Sequence, residues 1–181
     1  MLYLFLAEGF EEVEAIATLD VLRRAGIRVK TVGITGSPVT GSHGVSVTPD
    51  LTALEAVPTE ALKGVILPGG MPGTKNLEAS STVRELLQYA SDRDLLIAAI
   101  CAAPSVLGHL GYLRGKRATC FPGFEPELLG ATPTQESVTE DGNIITGKGA
   151  GAAHLFGEAI AARFVGGEAA HDILTNMQYT F

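Results

Sequence analysis

Apolar and polar positions follow two periods along this chain. Short, largely apolar runs at Leu2–Ala7, Val29–Ile34, Val65–Pro68, Leu95–Ile100 and Asn143–Thr146 read as strands. Longer stretches with apolar residues every three or four positions read as helices. These are Glu11–Ala25, Val83–Asp92, Pro104–Leu113, Ala152–Val165 and Glu168–Gln178. Gly26 stops the first helix, and Gly166-Gly167 separates the last two. Several strands are apolar throughout, as expected when helices cover both faces of a parallel sheet. The pattern predicts an α/β fold with a doubly wound, mainly parallel sheet whose ligands gather at the carboxyl ends of the strands. At ~100–200 residues per domain, 181 residues predict one domain over 1–181.

The opening segment MLYLFLAEGFEEVE has a short apolar run, no basic region before it and acids directly after it, so it predicts a strand and a helix start rather than a signal peptide. No apolar stretch reaches the ~18 residues of a membrane span; the most apolar region, Leu95 to Leu110, contains Cys101, Pro104 and His109. A soluble, reducing, cytoplasmic setting fits these features. Hydrophobic residues make up 46% of the chain, too many for disorder. The net charge of −7 disfavours a surface that neutralises phosphates, so nucleic acid is not expected as the main partner. Two cysteines, Cys101 and Cys120, form neither a disulfide framework nor a zinc motif.

Chemistry enters at the turns. Four turns after strands, Ala7-Glu8-Gly9, Pro68-Gly69-Gly70, Cys101-Ala102-Ala103 and Gly147-Lys148-Gly149, are expected on the same edge of the sheet. Ala99-Ile100-Cys101-Ala102-Ala103 reads small-x-nucleophile-x-small, a nucleophile elbow with alanines for glycines, and Pro104 suits the first turn of the next helix. A helix N-terminus there would favour a thiolate. A cysteine among alanines is also commonly an inert core residue. The glycines of the Gly69-Gly70 turn favour the reactive reading, because the Gly70 and Ala102 N–H groups could form an oxyanion hole. Cys120 has no such setting and reads as a buried structural cysteine.

Glu8, Glu11, Glu12 and Glu14 crowd the first turns of the first helix, where most read as solvated acids complementing its dipole. Glu14 differs, because it shares a stripe with Ala17, Thr18, Val21 and Ala25 that is expected to pack on the sheet. An acid on that face needs a hydrogen-bond partner, and burial favours its protonated form. Beside Cys101 it would serve as general acid or base. Asp20 lies on another stripe and reads as a structural hydrogen-bonding residue. None of the four histidines makes a convincing base: His109 is two turns past Cys101, His43 and His171 read as surface or interface, and His154 alone has some chance of nearing the site. Gly147-Lys148-Gly149-Ala150-Gly151-Ala152 matches GxGxxA, but no βαβ unit with an acidic residue follows, so it reads as a loop at the pocket rim. No His/Cys/Asp/Glu set has metal-ligand spacing, and neither a metal nor a cofactor is expected.

Taken in order, these segments resemble the ThiJ/PfpI superfamily, in the branch of the parkinsonism-associated protein deglycase and the bacterial ThiJ-like proteins. The matching segments are Glu8–Glu14, Asp20–Ile27, Leu67–Gly70, Ala98–Pro104 and the Thr146–Gly151 turn, which span nearly the whole chain. The resemblance implies a flavodoxin-like fold and a homodimer, with Cys101 reactive, Glu14 bonded to it, and the Gly70 and Ala102 N–H groups around the thiolate. It also implies cofactor-free conversion of methylglyoxal or glyoxal to hydroxy acids, deglycation of dicarbonyl-modified proteins, and oxidative-stress sensing or chaperoning. Phe121 stands where some relatives place a histidine, which counts against efficient glyoxalase turnover. Ala102 stands where protease-like members carry histidine, which argues against a peptidase. Gly41 and Thr48 replace interface-loop cysteines of some members.

The leading expectation is an enzyme acting on a small aldehyde or dicarbonyl, or on a glycated protein. The alternative is a redox-sensing chaperone in which Cys101 is oxidised to sulfinate without obligatory turnover. The third is a binding module with a structural cysteine.

Overall fold

A computed structural model describes residues 1–180. The chain runs β1 (Leu2–Leu6), α1 (Glu12–Arg24), β2 (Val29–Gly33), β3 (Val39–Thr40), β4 (Ser46–Val47), β5 (Leu51–Thr52) and β6 (Gly64–Leu67). Then follow α2 (Gly73–Ala79), α3 (Ser81–Asp92), β7 (Leu96–Ile100), α4 (Pro104–His109), β8 (Arg117–Ala118), β9 (Thr132–Pro133), β10 (Val138–Asp141) and β11 (Ile144–Gly147). Helices α5 (Ala153–Val165) and α6 (Gly167–Asn176) complete it. Seven strands form one sheet in the order β10-β11-β7-β6-β1-β2-β5. All neighbours in it are parallel except β10, which is antiparallel to β11. This is the expected mainly parallel α/β sheet.

Successive strand residues point to opposite faces, and both faces are dry. Tyr3, Phe5, Val65, Leu67, Ile97 and Ala99 face one side, where Leu77 of α2, Val83, Leu86 and Leu87 of α3, and Val106 and Leu107 of α4 cover them. Leu4, Leu6, Ile66, Ala98 and Ile100 face the other, under Ala15, Leu19 and Leu22 of α1 and Phe156 and Ile160 of α5. Each large side chain buried in this way contributes roughly 1.5–3 kcal/mol relative to exposure. Two cores on one sheet explain why the strands read as unbroken apolar runs.

Two expectations are corrected. The fourth helix ends at His109, not Leu113, because Gly111 takes φ of 82°. There the Tyr112 N–H donates to Leu107 O and the Gly111 N–H to Gly108 O, the paired bonds of a Schellman stop. Thr18 and Val21 of α1 face α5 rather than the sheet, while Glu14, one turn earlier, reaches Gly69 just beyond β6. A methyl group on Gly157 would sit 3.0 Å from Val21 Cβ, so a glycine is what lets the helices approach. Ala15, Leu19 and Leu22 form the sheet-facing stripe.

From β1 the chain moves outward to β2 and β5, then returns to β6 on the other side of β1. That reversal opens a crevice beyond the carboxyl ends of β1 and β6, where ligands of such sheets bind. No helix among the described residues is long and apolar enough to cross a membrane.

Candidate active site

The turn after β1 is tied to the turn after β6. Glu11 is the N-cap of α1, and its Oε2 accepts the Glu14 N–H at 2.7 Å. In a capping box the residue at the Glu14 position would reach back to the N-cap N–H. Here Gly69 O takes the Glu11 N–H at 3.0 Å, and Glu14 is released to turn inward. Its Oε2 accepts the Gly69 N–H at 2.8 Å, while Oε1 is buried with no hydrogen-bond partner. Gly69 must be a glycine, since a Cβ there would lie 2.7 Å from Cys101 Cβ and 2.8 Å from Glu14 Oε2.

Cys101 directly follows β7 with φ of 65°, a left-handed conformation that costs a non-glycine residue ~1–3 kcal/mol. Its N–H donates to Gly147 O at 2.9 Å and its carbonyl accepts the Phe121 N–H at 2.8 Å, so bonds from two other segments hold the bend. Ala99 and Ala103 on either side are fully buried. The elbow reading is what the backbone adopts. The Ala102 and Gly70 N–H groups act on the sulfur and favour its ionised form. Gly70 N–H lies on the same peptide unit as Gly69 O, which the Glu11 N–H anchors. Helix α4 has six residues, so its dipole adds little, and these two discrete donors replace the helix-terminus effect.

Burial pushes Glu14 up to about 7, against the nearby Cys101 thiol and the Gly69 N–H, which pull it down. Burial, then the charge and hydrogen bond of Glu14, push Cys101 up to about 12, against the Ala102 and Gly70 N–H groups. The two groups therefore titrate as a pair, one proton leaving near 7 and the other near 12. Between those limits they share one proton and one negative charge. Burial of the sulfur outweighs the Ala102 and Gly70 N–H groups, so the carboxyl ionises first, and the arrangement lets that carboxylate accept the Cys101 proton.

Above the sulfur lies a cavity of about 190 Å³ lined by Gly70, Met71, Cys101, Ala102, Phe121 and Phe124. Lys148 to Ala152, expected at the pocket rim, instead line a neighbouring cavity with Phe121 and Pro122, which shares only Phe121 with the cavity over Cys101. The other singled-out residues fall outside. Cys120 is buried in the core, where burial pushes its thiol up to about 11. Asp20 pairs with Arg24 at 2.8 Å. His43 faces Glu12, His109 faces Glu78 and Glu127, and His171 faces Glu158. His154, the one histidine with some expectation of reaching the site, lies against the Tyr179 ring with centroids 5.5 Å apart. No histidine lines the Cys101 cavity among the described residues.

The acids of the first turn are not simply solvated. Glu8 accepts the Thr40 N–H at 3.0 Å, and Glu12 accepts from His43 N–H at 2.7 Å and from the His43 ring at 3.0 Å. Burial raises the Glu12 pKa, but these bonds and one from Val45 outweigh it and hold the carboxyl at about 2. Glu11, Glu12 and His43 also form a group whose ligand atoms all lie within 4.8 Å, separated in sequence and so invisible to a search by spacing. The Glu11 and Glu12 oxygens already accept N–H groups of the helix cap and the hairpin.

A model of the DJ-1/PfpI family matches residues 1–163. Protein dj-1beta of Drosophila melanogaster is 40% identical over 171 residues, which cover 93% of this chain and 91% of that protein. The glutathione-independent glyoxalase DJR-1.2 of Caenorhabditis elegans is 34% identical over 175 residues, covering 96% and 92%. The structure of oxidized Toxoplasma gondii DJ-1 superposes with a TM-score of 0.94 at 30% identity, covering 99% of this chain and 98% of that one. The similarity thus runs through every segment that builds the Cys101 turn, and the chain belongs to the DJ-1/PfpI family.

Proposed function

We propose that this chain is a cofactor-free enzyme that converts reactive dicarbonyls to hydroxy acids, with Cys101 as nucleophile and Glu14 as the proton carrier. The observation that carries the reading is a buried carboxyl with one unpartnered oxygen, interacting with a cysteine that two backbone N–H groups also reach. A glyoxalase among the relatives supports the substrate class.

The steps follow from the shared proton. The Cys101 sulfur, having passed its proton to the Glu14 carboxylate, adds to the aldehyde carbon of methylglyoxal. The oxygen that becomes anionic is met by the Gly70 and Ala102 N–H groups and takes the proton from Glu14, leaving a hemithioacetal. Glu14, now a carboxylate, removes the hydrogen of that carbon as a proton to leave an enediolate, the hydroxyl proton passes from the first oxygen to the second, and Glu14 returns its proton to the second carbon. The first carbon is oxidised to a thioester and the second is reduced to a carbinol, so no external oxidant or reductant is needed. Water then cleaves the thioester, releasing lactate and restoring the thiol. Deglycation of a protein hemiaminal follows when the adduct expels its amine and re-forms the free oxoaldehyde, which Cys101 then attacks in the same way.

Purified protein incubated with methylglyoxal should yield lactate. Cys101→Ser and Glu14→Ala should each lower the rate at least ~100-fold, the scale of acid–base and nucleophilic contributions. Unchanged rates in both variants contradict the mechanism. Failure of the native protein to form lactate would leave oxidation of Cys101 as the reading.

A further inference from the structure

The cavity over Cys101 has a mostly apolar lining and more volume than methylglyoxal fills. Beyond the sulfur and the two backbone donors at its floor, its wall consists of Met71, Phe121, Phe124 and the Gly70 and Ala102 backbone, with no charged side chain. Its ~190 Å³ equals the liquid volume of about six waters at ~30 Å³ each, so a three-carbon oxoaldehyde leaves much of it unfilled. Met71 is 41% and Phe121 48% exposed, which places large apolar surfaces at the mouth with nothing of this chain over them. The Lys148 ammonium lines the neighbouring cavity rather than this one and donates to Gln135 O at 3.3 Å. Among the described residues of this chain, no cation therefore lines this cavity to receive a carboxylate or phosphate on the substrate.

Resting on the dicarbonyl reading above, we propose that Met71, Phe121 and Phe124 select 2-oxoaldehydes with an aryl or bulky alkyl substituent, and discriminate against methyl and anionic ones. The oxoaldehyde end reaches the Cys101 sulfur, and the substituent fills the space between the two phenylalanines and the methionine. Aromatic and thioether groups suit an aryl ring, through edge contacts and sulfur–ring contacts as well as area. The chemistry is unchanged: phenylglyoxal would give a hemithioacetal, then a thioester, then mandelate.

The test compares kcat/KM for phenylglyoxal, followed as mandelate, with kcat/KM for methylglyoxal, followed as lactate. One methylene in an apolar pocket is worth ~10–200-fold in discrimination, so the aryl substrate should lead by about tenfold or more. Phe121→Asn and Met71→Ser should each lower the phenylglyoxal-to-methylglyoxal ratio about tenfold. Comparing ratios between variants cancels the intrinsic electrophilicity of the two aldehydes. Equal ratios in native and variant proteins, with both substrates turned over, overturn the selectivity and leave the dicarbonyl reading standing. If neither aldehyde is turned over, that reading fails, and protection of Cys101 from iodoacetamide still decides the selectivity. Phenylglyoxal protecting better than methylglyoxal, with the advantage lost in Phe121→Asn, supports it; equal protection overturns it.

Discussion

At the residue scale, the site is a contact between two groups that each occupy an unfavourable state. Cys101 holds a left-handed backbone and Glu14 a buried carboxyl, and both are tolerable because neighbours fix them from several sides. Gly69 is the hinge of this arrangement, because its N–H binds Glu14, its carbonyl binds Glu11, and its missing Cβ leaves room for both side chains. Gly69→Ala would bring a methyl group within 3 Å of Cys101 Cβ, Glu14 Oε2 and Ile100 O, of which the last is rigid backbone. Overpacking of this kind costs ~1–3 kcal/mol. The variant should unfold at lower urea and lose at least ~10-fold in lactate formation, since separating the pair removes the shared proton. Full activity in Gly69→Ala would show that the contact is not needed.

At the element scale, His109 ties together the three segments that carry the cavity wall. Its Nδ1 lies 2.5 Å from Glu78 Oε1 on α2, and its Nε2 lies 2.8 Å from Glu127 Oε2, just beyond Phe124. Met71 precedes α2, and Cys101 precedes α4, which carries His109. Hydrogen bonds to Glu78 and then Glu127 raise its pKa above the usual 6.5 against some desolvation. A raised folded value means that the stabilisation is fully present below pH 6.5 and is lost as pH rises through the folded value. His109→Gln should therefore lower stability at pH 6, by about 1 kcal/mol or less given its partial exposure, with a smaller deficit at pH 9. Urea midpoints at the two pH values check this, and equal deficits would contradict the ion-pair account.

The same scale shows what the sequence made legible. The five main strands and the long helices were readable because continuous apolar runs and 3.6-residue stripes are their direct imprint. Gly111 was a readable stop that the apolar continuation to Leu113 obscured. Helix α2, with Gly73 and Thr74 in its first turn, lacks a long stripe. Strand β10, VTED at the sheet edge, gains its place from pairing with β11 rather than from apolar content. For the site, Cys101, Glu14, Gly69 and Gly70 were legible because an elbow, an inward-facing acid and a glycine turn each leave a local pattern. The His43–Glu12 and His109–Glu78 contacts join positions 31 apart and left none.

At the scale of the whole molecule, the order of the strands creates the site. The reversal between β2 and β6 sets the Glu14 helix and the Gly69 turn on either side of one crevice, and β7 brings Cys101 beside them. Dry cores on both faces of the sheet keep those three turns in register, so a strained cysteine and a buried acid persist at one edge. The central claim is that Cys101 and Glu14 share one proton across the neutral range, which the Glu14 carboxylate can accept from the sulfur. The most direct measurement is the rate of Cys101 alkylation by iodoacetamide against pH, in the native protein and in Glu14→Gln, with Cys101 identified by mass spectrometry. The native rate should rise with a midpoint near 7, where the pair loses its first proton. In Glu14→Gln that rise should vanish, leaving reactivity to appear only at or above the ordinary thiol value of about 9. A native midpoint at 9 or higher, or a midpoint near 7 that survives in Glu14→Gln, would contradict the account.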